Sequence, residues 1–261
     1  MKVALIIATY NWPSALECCL NSILLQSRMP DEIIIADDGS TEDTKELIEK
    51  FASQHMLNIQ HVWHEDTGFR LSHIRNKAIA EAQSDYIIQI DGDIIMQTDF
   101  VKDHVNNAEV GRYLKGSRVL INEESTAHYL YFKREQPNYL SSGIINRLNA
   151  IHFAPFHIFF GKKIANPFKI RGCNMSFWRS DFINANGYNE DISGWGREDS
   201  ELVMRFINNN IFGKTLKFGG IAFHLFHNEN SKSDLHTNDK ILKATIENKS
   251  IRCENGISKY L

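Results

Sequence analysis

The chain has 261 residues, 43% of them hydrophobic and 23% charged, with a formal net charge of -3. Such a length and composition suit one large α/β domain with a full core, and the mildly acidic balance argues against a general nucleic-acid binder. No run nears the ~18 apolar residues of a membrane span. Val3-Ala4-Leu5-Ile6-Ile7-Ala8 is too short for a signal peptide and runs straight into polar Thr9-Tyr10-Asn11. The chain is therefore expected to be complete, soluble and cytoplasmic. Cys18, Cys19, Cys173 and Cys253 form no CxxC pair and no disulfide-like spacing, which fits reduced thiols.

Residues 2–8 read as a strand, and Pro13 opens a helix carrying Leu16, Cys19, Leu20 and Ile23 on one side. A buried strand at 32–36 ends in Asp37-Asp38-Gly39-Ser40, and Thr41 stands as the N-cap of a helix with Leu47, Ile48 and Phe51 inward. Strands at 58–63 and 86–90 flank a helix at 71–82. This alternation implies a parallel sheet with right-handed crossovers. No GxGxxG or Walker loop is present, which counts against an ordinary dinucleotide or P-loop fold.

The middle is less regular, with a helix expected at 101–108 and a strand at 116–121. Aromatics then accumulate: Tyr131, Phe132, Tyr139, Phe153, Phe156, Phe159, Phe160 and Phe168, with Lys162 and Lys163 nearby. They are read as core or acceptor-cleft lining, the alternative being an interfacial patch that would allow peripheral membrane association. A strand is expected at 174–178, then a helix capped by Ser180 and ended by Gly187. Gly194-Trp195-Gly196-Arg197-Glu198-Asp199 leads into a helix with Leu202, Val203, Phe206 and Ile207 inward. Residues 215–223 form the last expected strand, and beyond His227 the polar chain reads as a tail or lid. The expected organisation is a single domain, 1–261, with a nucleotide-binding half at 1–95, an acceptor-binding half at 96–228 and the tail or lid at 229–261.

Chemistry concentrates at strand ends. In Asp85-Tyr86-Ile87-Ile88-Gln89-Ile90-Asp91-Gly92-Asp93 an Ile-rich run of buried-strand length ends in two carboxylates separated by glycine. Hard oxygen ligands at the carboxyl edge of an open sheet suit Mg²⁺ or Mn²⁺ holding a phosphate. A turn closing a strand is the plain alternative. Thr9-Tyr10-Asn11 and Asp37-Asp38-Gly39-Ser40 end two other strands, and all three together look like a nucleotide pocket that Arg75 and Asn76 could reach, Arg75 reading equally well as an exposed helix charge. Glu198 and Asp199 in a first helical turn are favoured by the dipole alone, by ~0.3–1 kcal/mol each. Capping, however, does not require a Trp flanked by glycines, whereas a sugar ring can lie against Trp195 with room left by Gly196.

With these motifs in order, the chain resembles family 2 glycosyltransferases of the GT-A fold, a Rossmann-like α/β architecture with a mostly parallel central sheet and flanking helices. Ala8-Thr9-Tyr10-Asn11, Ala36-Asp37-Asp38-Gly39-Ser40, the stretch from Gly68-Phe69-Arg70 to Arg75-Asn76-Lys77-Ala78, and Asp91-Gly92-Asp93 carry the first half. Arg171-Gly172-Cys173-Asn174-Met175-Ser176-Phe177, Gly194 to Asp199, and Ala222-Phe223-His224 resemble the GalNAc-transferring domain of bacterial chondroitin polymerase. The same elements are similar to the shared motif of β-1,4-galactosyltransferases and polypeptide GalNAc-transferases. Arg197 and Cys173 stand where those relatives often have Gly.

The resemblance implies a metal-dependent, inverting transfer of sugar from a UDP-sugar or other nucleotide sugar to a hydroxyl of a glycan or lipid-linked glycan, in surface polysaccharide or glycoconjugate synthesis. It places Thr9, Tyr10, Asn11, Asp37, Asp38, Arg75, Asp91 and Gly92 at the nucleotide, and Arg171, Gly172, Trp195 and Gly196 at acceptor or sugar. Asp93, His224 and Asp91 would serve Mn²⁺ or Mg²⁺, with His227 as runner-up for the imidazole ligand. Asp199 would take the acceptor's proton and Glu198 would hydrogen-bond a sugar. Two rivals are an inactive nucleotide-sugar or glycan-binding module and a nucleotidyltransferase, for which no Gly-rich basic triphosphate loop is visible.

Overall fold

Strand β1 (Val3–Thr9) is buried along its whole length because it lies in the middle of a sheet covered on both faces. Alternate side chains go to opposite sides. Ala4, Ile6 and Ala8 meet Ile74, Ala78 and Ile79 of helix α3 (Leu71–Glu81), while Val3, Leu5 and Ile7 meet Leu16, Cys19, Leu20 and Ile23 of α1 (Pro13–Ile23). Ile48 and Phe51 of α2 (Glu42–His55) join the second layer. The computed structural model describes residues 1–154, 163–164, 166–228 and 233–261.

β1 pairs in parallel with β2 (Glu32–Asp37) and β4 (Tyr86–Asp91), and β2 pairs in parallel with β3 (Ile59–Trp63). Beyond β4 the sheet continues through β9 (Asn174–Trp178), β6 (Arg112–Lys115), β10 (Phe212–Thr215) and β8 (Lys163–Ile164). Its order is β3-β2-β1-β4-β9-β6-β10-β8, with β9 antiparallel to both neighbours. A smaller sheet holds β5 (Ile94–Met96), β11 (Ile221–His224) and β7 (Ser117–Leu120) in the order β5-β11-β7. Three strand lines pass from the large sheet into the small one: β4 to β5 through Gly92-Asp93, β6 to β7 through Gly116, and β10 to β11 through residues 216–220. At Gly116 a Cβ would collide with the Asn174 side chain and the Gly220 carbonyl, so the crossing is closed to larger residues.

The expected strand at 215–223 is thus two strands in different sheets. Phe218 and Gly220, both at positive φ, turn the chain between them. Ser180 is not a cap: α6 (Arg179–Asn184) follows β9 directly, with Trp178 at its N-cap. Thr41 does precede α2, but its side chain makes no capping bond. Helix α4 (Phe100–Asn106) falls where a helix was expected. Helix α5 (Glu123–Tyr131) was not anticipated; it is polar along most of its length, and Asn122 caps it by accepting from the Ser125 N–H at 2.9 Å. Tyr131, Phe132, Tyr139, Phe153 and Phe168 are all exposed, so core packing does not account for the aromatic run. Phe156, Phe159, Phe160 and Lys162 lie outside the described residues.

The second half packs through α7 (Glu198–Asn208), whose Leu202, Val203 and Phe206 enter the layer beneath α3. The polar stretch after His227, expected as a tail or lid, carries helix α8 (Leu235–Glu247) packed on α7. Thr245 of α8 donates to Glu201 of the buried Glu201–Arg205 ion pair at 3.0 Å.

All four cysteines are free and buried. Burial pushes the Cys18 and Cys253 thiols up to about 11 and Cys173 up to about 12, and raises Cys19 well above its usual value. Since the thiolate is the nucleophile, a thiol-specific disulfide reagent at roughly pH 8 is expected to label fewer than one cysteine per native chain. All four should react after denaturation. Rapid labelling of two or more native thiols would contradict this packing.

Candidate active site

The loops after β1 and β2 are tied to each other by backbone and side chain. The Asn11 N–H donates to Ser40 Oγ at 2.8 Å, and Asn11 Oδ1 accepts from the Thr41 N–H at 2.8 Å, with Asn11 at φ +45°. Asp37 accepts from the Ser40 N–H (2.8 Å) and pairs with His61 Nε2 (2.9 Å). Asp38 pairs with His64 Nε2 at 2.7 Å and accepts from the Arg70 N–H at 2.9 Å. Tyr10 donates to Asp66 at 2.8 Å, leaving its ring exposed. Thr9 accepts from the Asp38 N–H through its carbonyl at 3.0 Å. His61 and His64 escaped the reading of the sequence, although His61 stands on a strand directly beside β2.

At the end of β4 the chain turns at Gly92-Asp93, and Gly92 also allows close approach. Its N–H donates to the Ala8 carbonyl at 2.7 Å, and a Cβ would lie 3.1 Å from both that oxygen and Thr9 Oγ1. Asp91 Oδ1 accepts from Arg75 Nη2 at 2.7 Å, and Arg75 Nη1 reaches Asp199 Oδ1 at 3.2 Å. The Arg75 side chain is 1% exposed, against 33% for Asp91 and 14% for Asp199. Burial alone would lower the pKa of that guanidinium; Tyr188, Asp91 and Asp199 outweigh it and hold it above the usual value.

Asp199 is held on every side. The Gly172 N–H donates to Oδ2 at 2.5 Å and the Tyr188 hydroxyl to Oδ1 at 3.1 Å. A Cβ at Gly172 would strike this carboxylate, which is why the position requires glycine. Gln89 donates to the Gly172 carbonyl (2.9 Å) and to the Tyr188 oxygen (2.8 Å). Gln89 and Tyr188 are site residues that the sequence reading missed. A lone Gln inside an Ile-rich buried strand was the signal available for the first; nothing local marked the second. Glu198 is buried with Oε2 lacking any partner, and burial, then the adjacent Asp199, pushes its carboxyl up to about 8. Trp195 and Gly196 sit in the turn before it, half-buried. Arg171 lies exposed ahead of Gly172.

Across the seam, Asp93 faces two imidazoles. Its Oδ2 lies 3.5 Å from His224 Nε2 and 3.2 Å from His227 Nε2, and the three ligand-type atoms lie within 4.8 Å of one another. Each ring is fixed from behind: His224 Nδ1–H donates to the Leu225 carbonyl at 2.8 Å, and His227 Nδ1–H to the Asn228 carbonyl at 2.7 Å. Both Nε2 atoms therefore face Asp93, the arrangement metal-ligating histidines adopt. Burial and the nearby Arg118 push His224 down to about 3, so it is a neutral donor. Asp93 Oδ1 is buried without a partner, and burial with the Asp91 charge pushes its carboxyl up to about 8. A carboxylate and two imidazoles fit a divalent ion such as Mn²⁺. Asp91, expected to share this duty, points to Arg75 and stands apart from the cluster.

A mostly parallel sheet flanked by helices, with polar and acidic loops at its carboxyl edge, is a GT-A fold, and solved structures with that fold superpose on this one. S. aureus TarS residues 1–349 in complex with UDP align over 95% of this chain and 66% of theirs, with a TM-score of 0.66 at 17% identity. Mannosyltransferase PcManGT from Pyrobaculum calidifontis in complex with GDP-Man and Mn²⁺ gives 0.60 at 18% identity, over 95% of this chain and 62% of that one. The model of glycosyl transferase family 2 matches residues 4–166, more than half of the sequence, and the chain belongs to that family. Residues 156–228 match the model described as N-terminal domain of galactosyltransferase. Chondroitin synthase of Escherichia coli is 26% identical over 242 residues, 85% of this chain and 34% of that protein. Cholesterol galactosyltransferase of Borreliella burgdorferi is 25% identical over 277 residues, 99% of this chain and 72% of that one. The chain thus spans about a third of the E. coli relative and 24% of the chondroitin synthase of Pasteurella multocida.

Glu198 makes folding pH-dependent in a defined direction. Its carboxyl holds a proton in the folded state up to about pH 8 but loses it in the unfolded chain near 4.5. Between those values the folded state binds more protons, so this residue's contribution falls as pH rises through the window and is constant below it. Denaturant unfolding of the metal-free protein should therefore show Glu198→Gln gaining on the wild type between about pH 5 and 8. Parallel stability curves for the two proteins would disprove the assignment.

Proposed function

We propose that this chain transfers a sugar from a nucleotide sugar, with a UDP-sugar as first choice, to a hydroxyl of a glycan or lipid-linked acceptor, inverting the anomeric carbon. The observation that carries the reading is the pairing of two unlike sites at one sheet edge: the Asp93, His224, His227 cluster, and the Asp91–Arg75–Asp199 bridge. Family membership supports the reaction class, and relatives named for glycan and cholesterol products support the choice of acceptors. Among the described residues no helix is long and apolar enough to cross a membrane. We place the work in the cytoplasm, with access to acceptors at the inner membrane face.

In this reading Tyr10, Asn11, Asp37 and Asp38 bind base and ribose, with residues 1–95 as the donor half and 96–228 as the acceptor half. Asp93, His224 and His227 hold a divalent ion, which when bound supplies charge neutralisation for the leaving diphosphate. Asp91 orients the ribose side through its tie to Arg75. Trp195 and Gly172 border the acceptor, and Asp199 takes the hydroxyl proton as the new bond forms. A second assignment gives that proton to Glu198, favoured by its unpartnered Oε2 and by a carboxyl pushed up to about 8, near working pH.

Calorimetry with UDP tests the donor site. Binding should require Mn²⁺ or Mg²⁺ and vanish in excess chelator, because a diphosphate beside these carboxylates is repelled without a cation between them. Asp93→Ala should remove the metal dependence. Equal affinity with and without chelator would take the metal out of the reading.

Asp199→Asn and Glu198→Gln each replace a carboxyl by its amide at neighbouring positions, so comparing them identifies the base. Asp199→Asn should leave metal-dependent UDP binding near normal while transfer falls ~10²–10⁴-fold, and Glu198→Gln should fall less. The opposite ranking would move the base to Glu198.

A further inference from the structure

Helix α8 lies beyond both stretches matched by family models, 4–166 and 156–228, yet it is bonded to the turn that carries Trp195, Glu198 and Asp199. Asn238, wholly buried, donates through Nδ2 to the carbonyls of Ser193 at 2.8 Å and Gly196 at 3.0 Å. Asp239 accepts from Arg197 Nε at 2.5 Å. Asp234 and Leu235 press on Gly194 and Gly196 so closely that a Cβ on either glycine would crowd them.

The turn needs such support because three of its four residues before α7 are left-handed: Gly194 at φ +66°, Gly196 at +100° and Arg197 at +83°. Glycine adopts that conformation freely. In arginine the Cβ crowds the following carbonyl, so the turn left to itself would move away. Arg197 is restrained by Asp239 and by the Phe168 ring, 5.7 Å from its guanidinium. Its ion pair is part-exposed and weak alone, whereas the two Asn238 bonds are shielded from water.

We propose that Asn238 and Asp239 are positioning residues for glycosyl transfer, holding residues 193–199 in the left-handed turn so that Trp195 and Asp199 keep one fixed arrangement. The catalytic consequence rests on the function proposed above; the grip on the turn does not. Within that division, Asp239 acts through Arg197, and Asn238 acts directly on the main chain.

Hydrogen exchange and steady-state transfer on the full chain test this together. Asn238→Ala and Asp239→Ala should speed exchange of the amides at 193–199 while those of β1 and β4 stay protected, with kcat down about tenfold and donor KM within about twofold. Arg197→Gly should remove the dependence on Asp239, so that Arg197→Gly with Asp239→Ala matches Arg197→Gly alone in both readouts. Should Asn238→Ala fail to fold, the Asp239 and Arg197 variants still decide, since both residues are part-exposed. Unchanged exchange at 193–199, faster exchange throughout the protein, or an Asp239→Ala loss that persists beside Arg197→Gly would each overturn the proposal. A wild-type chain that transfers no sugar would defeat the enzymatic reading, while the exchange pattern would still judge the grip.

Discussion

A single buried guanidinium organises the carboxyl edge of the large sheet. Arg75 comes from α3, Asp91 from the end of β4 and Asp199 from the first turn of α7, and the one guanidinium bonds both acids. Taking a charge out of water is unfavourable unless it is paired and hydrogen-bonded, and removing one partner leaves the other stranded. Arg75 answers two carboxylates at once and lies 5.5 Å from the Tyr188 ring centre. Its neighbour Asn76 fixes that same tyrosine, donating to the Tyr188 carbonyl and accepting from its N–H. Two consecutive residues of one helix thus join β4 to α7 and to the Tyr188 segment.

The contrast with Asp93 is instructive. Asp91 and Asp93 are two residues apart, yet one meets a permanent cation and the other meets two imidazoles. Where the protein supplies its own positive charge there is no call for an ion. Where it supplies imidazole nitrogens and leaves a buried carboxylate oxygen unsatisfied, a divalent ion would complete the site. Strand alternation alone would have put both acids on one face. The break at Gly92-Asp93, where the chain leaves the large sheet, sends them to different partners.

Much of the first hundred residues was legible because its strands are Ile-rich and its helices amphipathic, so periodicity reports burial directly. The clustering of Asp93, His224 and His227 was legible for a different reason, since few residue types can do that work. The second half resisted where geometry overrides pattern. Residues 215–223 look like one strand because Leu216, Ile221 and Phe223 are apolar, and the left-handed Phe218 and Gly220 make the turn that breaks it. Arg75 could be seen as a charge near the cleft, but its partners lie 16 and 124 residues away, beyond any local signal. Tyr188 carries no mark in its own segment; its place is set by Asn76.

The three crossings between the sheets have a mechanical meaning. Gly92-Asp93, Gly116 and the turn at 216–220 form a crease, on one side of which lie Arg75, Asp91 and Asp199, and on the other His224 with its small sheet. Flexing along this crease would change the spacing between the imidazoles and the Arg75 bridge without disturbing the internal geometry of either. A stiffer fold line at Gly116, where Asn174 and Gly220 close in, would hold the imidazoles and the Arg75 bridge at a more constant separation.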